Sequence, residues 1–141
     1  MRTSIRTIAC LALAAVCAVL LTGCAARDSA SQTVDVDLTV LSSTMVYAEV
    51  YNMVNDPETY VGKRVKMSGT CTTFYDDATG VDYYTCIVQD ALACCASGIE
   101  FVLRDGLTYP DENDEITVVG VFDTYMEGEY MYCTLRNAEI V

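Results

Sequence analysis

The chain contains no histidine and no tryptophan in its 141 residues. Without histidine, the usual general base of hydrolytic triads and the imidazole ligand of mixed zinc sites are both missing. No Gly-x-Ser-x-Gly, no phosphate-binding Gly-x-x-x-x-Gly-Lys and no Cys-x-x-Cys occurs. Acyl transfer, nucleotide hydrolysis and dithiol redox chemistry therefore each lack their usual residues, and no catalytic role is expected. Basic residues are scarce too: eight Lys and Arg face twenty Asp and Glu, a formal charge of −12. Nucleic-acid binders carry a basic stripe, and the one small cluster here is Lys63-Arg64-x-Lys66. No nucleic-acid partner is expected.

What the chain does have is one long apolar run, Ile8 to Leu21, preceded by Arg2 and Arg6. At fourteen residues it falls short of the roughly 20 needed to span a bilayer. Thr22 and Gly23 end it, and the whole reads as a secretory signal. The tetrapeptide Leu21-Thr22-Gly23-Cys24 resembles the lipobox of bacterial lipoproteins. That resemblance implies removal of residues 1–23 as a signal peptide and lipidation of Cys24. The expected location is then the extracytoplasmic face of the cell membrane, held by the lipid. About 118 residues remain, enough for one domain and not two. Losing Arg2 and Arg6 with the signal moves the formal charge from −12 to −14.

Residues 24–33 are small and polar and read as a flexible tether, with the domain following over 34–141. Val34, Val36, Leu38 and Val40 alternate with polar residues, as in a short edge strand or an extended lead-in. Ser42, Ser43 and Thr44 offer N-caps for a helix to about Asn55, closed off by Pro57. Val46, Val50, Met53 and Val54 form its apolar stripe. Five strands follow by pattern: 64–75, 81–89, 99–104, 115–125 and 129–136. Turn residues at Asp76 to Gly80 and around Gly128 mark two hairpins.

The expected fold is mainly β (α+β): a small five-stranded OB-like barrel preceded by one helix. Gly62-Lys63-Arg64-Val65-x-x-x-Gly69 and Ile116-Thr117-Val118-Val119-Gly120-Val121 resemble the first and fourth strands of OB-fold domains. The resemblance covers roughly residues 60–136. It departs from that pattern in placing the helix before the first strand. It implies a binding module without specifying a ligand.

Of eight cysteines, Cys10 and Cys17 lie in the signal and Cys24 is the lipid site, leaving Cys71, Cys86, Cys94, Cys95 and Cys133. An odd number cannot all pair within one chain. Counting back from the first hairpin turn sets Tyr75 near Asp82 and Cys71 opposite Cys86. Two readings stay open there: small apolar core residues or a cross-strand Cys71–Cys86 disulfide, which an oxidising compartment permits. The second hairpin, counted with Tyr125 opposite Tyr130, sets Cys133 opposite Phe122.

Cys94 and Cys95 are adjacent, and on extended backbone adjacent side chains diverge, so two separate roles are expected. With Asp90 they are the candidate metal or thiol site, since thiolates select soft metals such as zinc and copper. The segment Asp90-Ala91-x-Ala93-Cys94-Cys95-x-x-Gly98-Ile99-Glu100-Phe101 resembles one in uncharacterised lipoproteins of gut Firmicutes. More distantly it is similar to a Cys-Cys-containing soluble domain found alongside predicted permeases. Neither implies an activity.

Two further features carry weaker signals. Asp76-Asp77 and Asp111-Glu112-x-Asp114-Glu115 read as solvated loop carboxylates, for they lack EF-hand spacing. Among ten tyrosines, Tyr83, Tyr84, Tyr125, Tyr130 and Tyr132 fall on strands. They suit either a half-buried sheet or a recognition strip for a peptide or glycan. The expectation is thus a membrane-anchored, non-enzymatic binding module whose ligand or protein partner the residues do not name. The alternative is a thiolate metal-binding lipoprotein associated with a permease.

Overall fold

The computed structural model describes residues 33–141. The expected signal peptide, the expected lipidation site Cys24 and nearly all of the expected tether lie outside the described residues.

The chain enters as β1 (Val36–Asp37), a two-residue strand, followed by a 3-10 turn over Leu38–Val40. The alternation seen over 34–40 thus gives only a short strand, because the Asp37 carboxylate accepts from the Thr39 N–H at 3.0 Å and turns the chain. Helix α1 (Ser43–Asn55) comes next, with Ser42 at its N-cap. Val50 and Met53 are its buried residues, and Val46 and Tyr47 pack partly against the same core. Pro57 opens a second 3-10 turn, Pro57–Thr59, where its missing N–H costs nothing. Tyr60 then bonds back to Glu49 of the helix at 2.8 Å and meets Phe122 edge-on.

The remaining strands are β2 (Arg64–Asp76), β3 (Val81–Gln89), β4 (Ala96–Leu103), β5 (Glu115–Glu127) and β6 (Tyr130–Ile140). The protein is mainly β, a six-stranded mixed sheet with one α-helix among the described residues. The count of six corrects the expected five, since β1 pairs in parallel with β2 through Val36 and Val65. The sheet order is β1-β2-β3-β4-β6-β5, and β5 also pairs with β2.

The long β2 makes that last pairing. Its residues Arg64 to Thr70 pair with β5, and Thr70 to Asp76 pair with β3. Thr70 therefore faces Ile87 on one side and Glu115 on the other. Gly69 sits at the crossover, where a Cβ would lie 2.2 Å from the Ile87 carbonyl oxygen. The glycine is required by close backbone approach. The enclosed core includes Phe101, Phe122, Met67, Ile99, Leu135 and Met53, each at most 2 % exposed. Burying side chains of this size contributes about 1.5–3 kcal/mol each.

The first hairpin keeps the expected register, with Tyr75 opposite Asp82 and Cys71 opposite Cys86. The second does not. Tyr125 faces Tyr132 and Glu127 faces Tyr130, so only Gly128 and Glu129 form the turn. Cys133 consequently lies opposite Thr124, and Leu135 takes the place beside Phe122. The left-handed backbone at Gly128 (φ +61°) permits this tighter two-residue connection.

Replacing Gly69 by alanine should destabilise the fold by about 2–3 kcal/mol through backbone overpacking. Chemical denaturation would show this as a lower midpoint; an unchanged midpoint would remove the close approach as a constraint.

Candidate functional site

Asp90, Cys94 and Cys95 sit in the connection between β3 and β4, and the fold gathers them into one cluster. The Asp90 N–H donates to the Cys95 carbonyl at 3.1 Å, and the Ala93 N–H donates to the Asp90 carbonyl at 2.9 Å. Ala93 adopts a left-handed conformation, φ +53°. The loop is thus a closed turn. The expectation that adjacent cysteines diverge fails here, because that rule holds only for extended backbone.

The Asp90 carboxylate organises the turn. Its Oδ1 accepts from the backbone N–H groups of Cys94 at 2.8 Å and Cys95 at 3.3 Å. Its Oδ2 accepts from the Cys94 thiol at 3.1 Å. The two Sγ atoms are 3.8 Å apart. One ligand atom from each of the three residues lies within 4.8 Å of the others. Both cysteines are exposed and Asp90 is half-buried.

The electrostatics follow from that contact. The bond from the Cys94 thiol holds the Asp90 carboxyl below its ordinary range. Reciprocally, the Asp90 carboxylate and then the Cys95 sulfur push the Cys94 thiol up to about 11. Burial raises the Tyr47 hydroxyl of α1 above its ordinary range, with smaller contributions from Cys95 and Asp90. The Cys94 proton occupies the space between sulfur and carboxylate oxygen. A cation of higher charge can take that place, because soft metals displace thiol protons. Two sulfurs and one oxygen suit zinc or copper(I), and three protein donors leave a tetrahedral ion one open position.

The other cysteines are elsewhere and different in kind. Cys71 and Cys86 face each other as buried free thiols, and burial raises both, Cys86 to about 12. Cys133 is half-buried, with its thiol 3.9 Å from the Met53 carbonyl. None of these three joins Asp90, Cys94 and Cys95, the one group of metal-ligating side chains found among the described residues. The loop carboxylates mostly organise turns and strand contacts. Asp76 accepts from the Ala78 N–H and the Thr79 hydroxyl, while Asp114 accepts from the Asp111 N–H.

The strand tyrosines separate by face. Tyr84 points inward and stacks on Tyr109 at 4.0 Å. On the outer face Tyr83 donates to Glu127 at 3.0 Å and Tyr125 donates to Glu100 at 2.6 Å. Tyr132 stacks on Tyr125, and Tyr130 is exposed. Tyr109 carries no motif, and alternation along β4 is the one signal that turns Glu100 outward.

Comparison with protein-family models, with curated proteins and with solved structures finds no match to this chain.

Thiol reagents should modify Cys94 and Cys95 in the native protein while leaving Cys71 and Cys86 unlabelled until denaturant is added. Peptide mass analysis reads this directly, and native labelling of Cys71 would contradict its burial.

Proposed function

We propose that the mature chain is a non-enzymatic binding module held at the extracytoplasmic face of the membrane by a lipid on Cys24. Its scaffold is an OB-like barrel, in which β2, β3, β4, β6 and β5 close as a ring and β1 is an appendage. Its ligand is a soft metal ion, zinc or copper(I), bound by Asp90, Cys94 and Cys95. The observation that carries this reading is the convergence of two thiols and a carboxylate within 4.8 Å on one exposed turn. An exposed site with three donors favours exchange over permanent structural binding. A permease in the same membrane is the partner this role implies. Among the described residues no helix is long and apolar enough to cross a membrane. Attachment in this reading therefore falls to the lipid, and two or more acyl chains anchor stably where one does so only marginally.

Full-length protein purified under reducing conditions should take up one equivalent of zinc or copper(I). Cys94→Ser should weaken uptake by more than the roughly 100-fold upper range of outer-shell changes. Asp90→Asn should lose less, because its amide keeps an oxygen acceptor for the loop N–H groups. Cys133→Ser should leave uptake unchanged. Absence of stoichiometric metal under reducing conditions would overturn the site.

The anchor is tested separately. Cys24→Ala should release the protein from the membrane fraction or leave the precursor uncut, and wild-type fractionation of that variant would refute lipidation.

A further inference from the structure

A second site lies at the opposite ends of β3 and β4 from the Asp90 turn, where the two strands part. The pairing of β3 with β4 ends at Thr85 and Glu100. Beyond it, Val81 to Tyr84 of β3 and Phe101 to Leu103 of β4 have no pairing with each other. The gap is a cavity of about 360 Å³, lined by Tyr83, Tyr84, Tyr109, Tyr125, Glu100 and Thr134 among others. Tyr109 is held in it by accepting a hydrogen bond from the Leu103 N–H at 3.1 Å. An adjoining hollow of about 210 Å³ shares Tyr83 and Glu100 and adds Phe74 and Tyr132. The larger volume falls in the roughly 300–1,000 Å³ range of small-molecule sites.

Its acidic side chains outnumber its basic ones. Asp82 and Glu100 line the cavity, and Asp76 and Glu127 line the adjoining hollow. Among the described residues, the only basic side chain on either wall is Arg136, which is tied to Asp123 at 2.5 Å. Glu100 spends one oxygen on the Tyr125 hydroxyl; its Oε1 has no hydrogen-bond partner among the described residues. Burial holds this carboxyl above its ordinary range, a cost that a cation placed beside it would offset. A second polar group is unpaired: Thr134 is 1 % exposed, and its buried Oγ1 has no hydrogen-bond partner among the described residues. Buried hydroxyls without partners are uncommon and mark places where a donor or acceptor belongs.

We infer that this cleft binds a small organic cation, an ammonium or guanidinium group on a flat apolar body. The tyrosine faces supply the negative side of their ring quadrupoles, and Glu100 and Asp82 supply full charge. Thr134, on the cavity wall, holds a buried hydroxyl with no partner among the described residues. The acidity of the whole chain adds long-range attraction for such ligands and repels anions of similar shape. This site is independent of the thiolate cluster, so either can fail without the other.

The test is calorimetric titration of the full-length protein with benzylammonium and phenylguanidinium, against benzyl alcohol and benzoate as neutral and anionic counterparts. The cations should bind saturably at one equivalent, and both counterparts at least roughly ten-fold more weakly. Glu100→Gln should reduce the cation affinity roughly ten-fold while leaving zinc uptake and the thermal midpoint unchanged. Asp82→Asn, at an exposed strand position, should weaken it in the same direction. The inference falls if neither cation binds at millimolar concentration, if benzoate binds as well, or if both variants bind as the parent does. Binding of an arginine-rich peptide without binding of either small cation would also overturn it, by placing a polypeptide there.

Discussion

The backbone of β2 is shared between two partners, and much of the molecule depends on that sharing. Up to Thr70 it is hydrogen-bonded to β5, and from Thr70 onward to β3. A strand can change partners in this way only where both neighbours approach it closely. Gly69 allows that approach because the Ile87 carbonyl occupies the space a side chain would need. The consequence is a succession of pairings from β2 through β3, β4, β6 and β5 that returns to β2. The inward residues of all five strands then meet in one core with Val50 and Met53 of α1.

That framework fixes where the Asp90 turn can be. The turn joins two paired strands, with Gln89 opposite Ala96, so its ends are held and its interior must fold back on itself. Asp90 does the folding, since a carboxylate that accepts two successive N–H groups bends the chain around its own oxygen. Two thiols that would diverge on a strand end up side by side. The same geometry that satisfies the loop backbone therefore brings the soft donors together. The proposed metal site needs no structural element beyond the turn.

The two candidate sites divide the chemistry of the chain between them. Among the described residues, exposed thiols are confined to the β3–β4 turn, while the other cysteines are wholly or partly buried in the core. Tyrosine and carboxylate concentrate where β3 and β4 separate at their other ends. There the phenol hydroxyls of Tyr83 and Tyr125 are engaged by Glu127 and Glu100, which holds the rings in place. A chain with so few cations of its own has little to neutralise that surface, which is the physical basis for expecting a positively charged ligand.

Much was legible in the residues alone. Alternation and turn chemistry located β3 to the residue, most of β2, and the helix before it. Counting outward from the Asp76–Gly80 turn placed Cys71 opposite Cys86, because a hairpin's register follows from its loop. The acidic balance and the missing histidine narrowed the chemistry without any fold. Other features required the folded chain. The two-residue turn at Gly128 reset the partners of Cys133, and a three- or four-residue loop reads equally well in sequence. Glu100, Tyr109 and Thr134 meet only because β4 leaves β3 to run beside β6, a pairing between segments more than thirty residues apart. The convergence of Asp90, Cys94 and Cys95 depended on one left-handed residue, Ala93, whose side chain gives no hint of it. Periodicity reports which side of a strand a residue occupies; distances between side chains are set by turns and long-range pairings that periodicity does not encode.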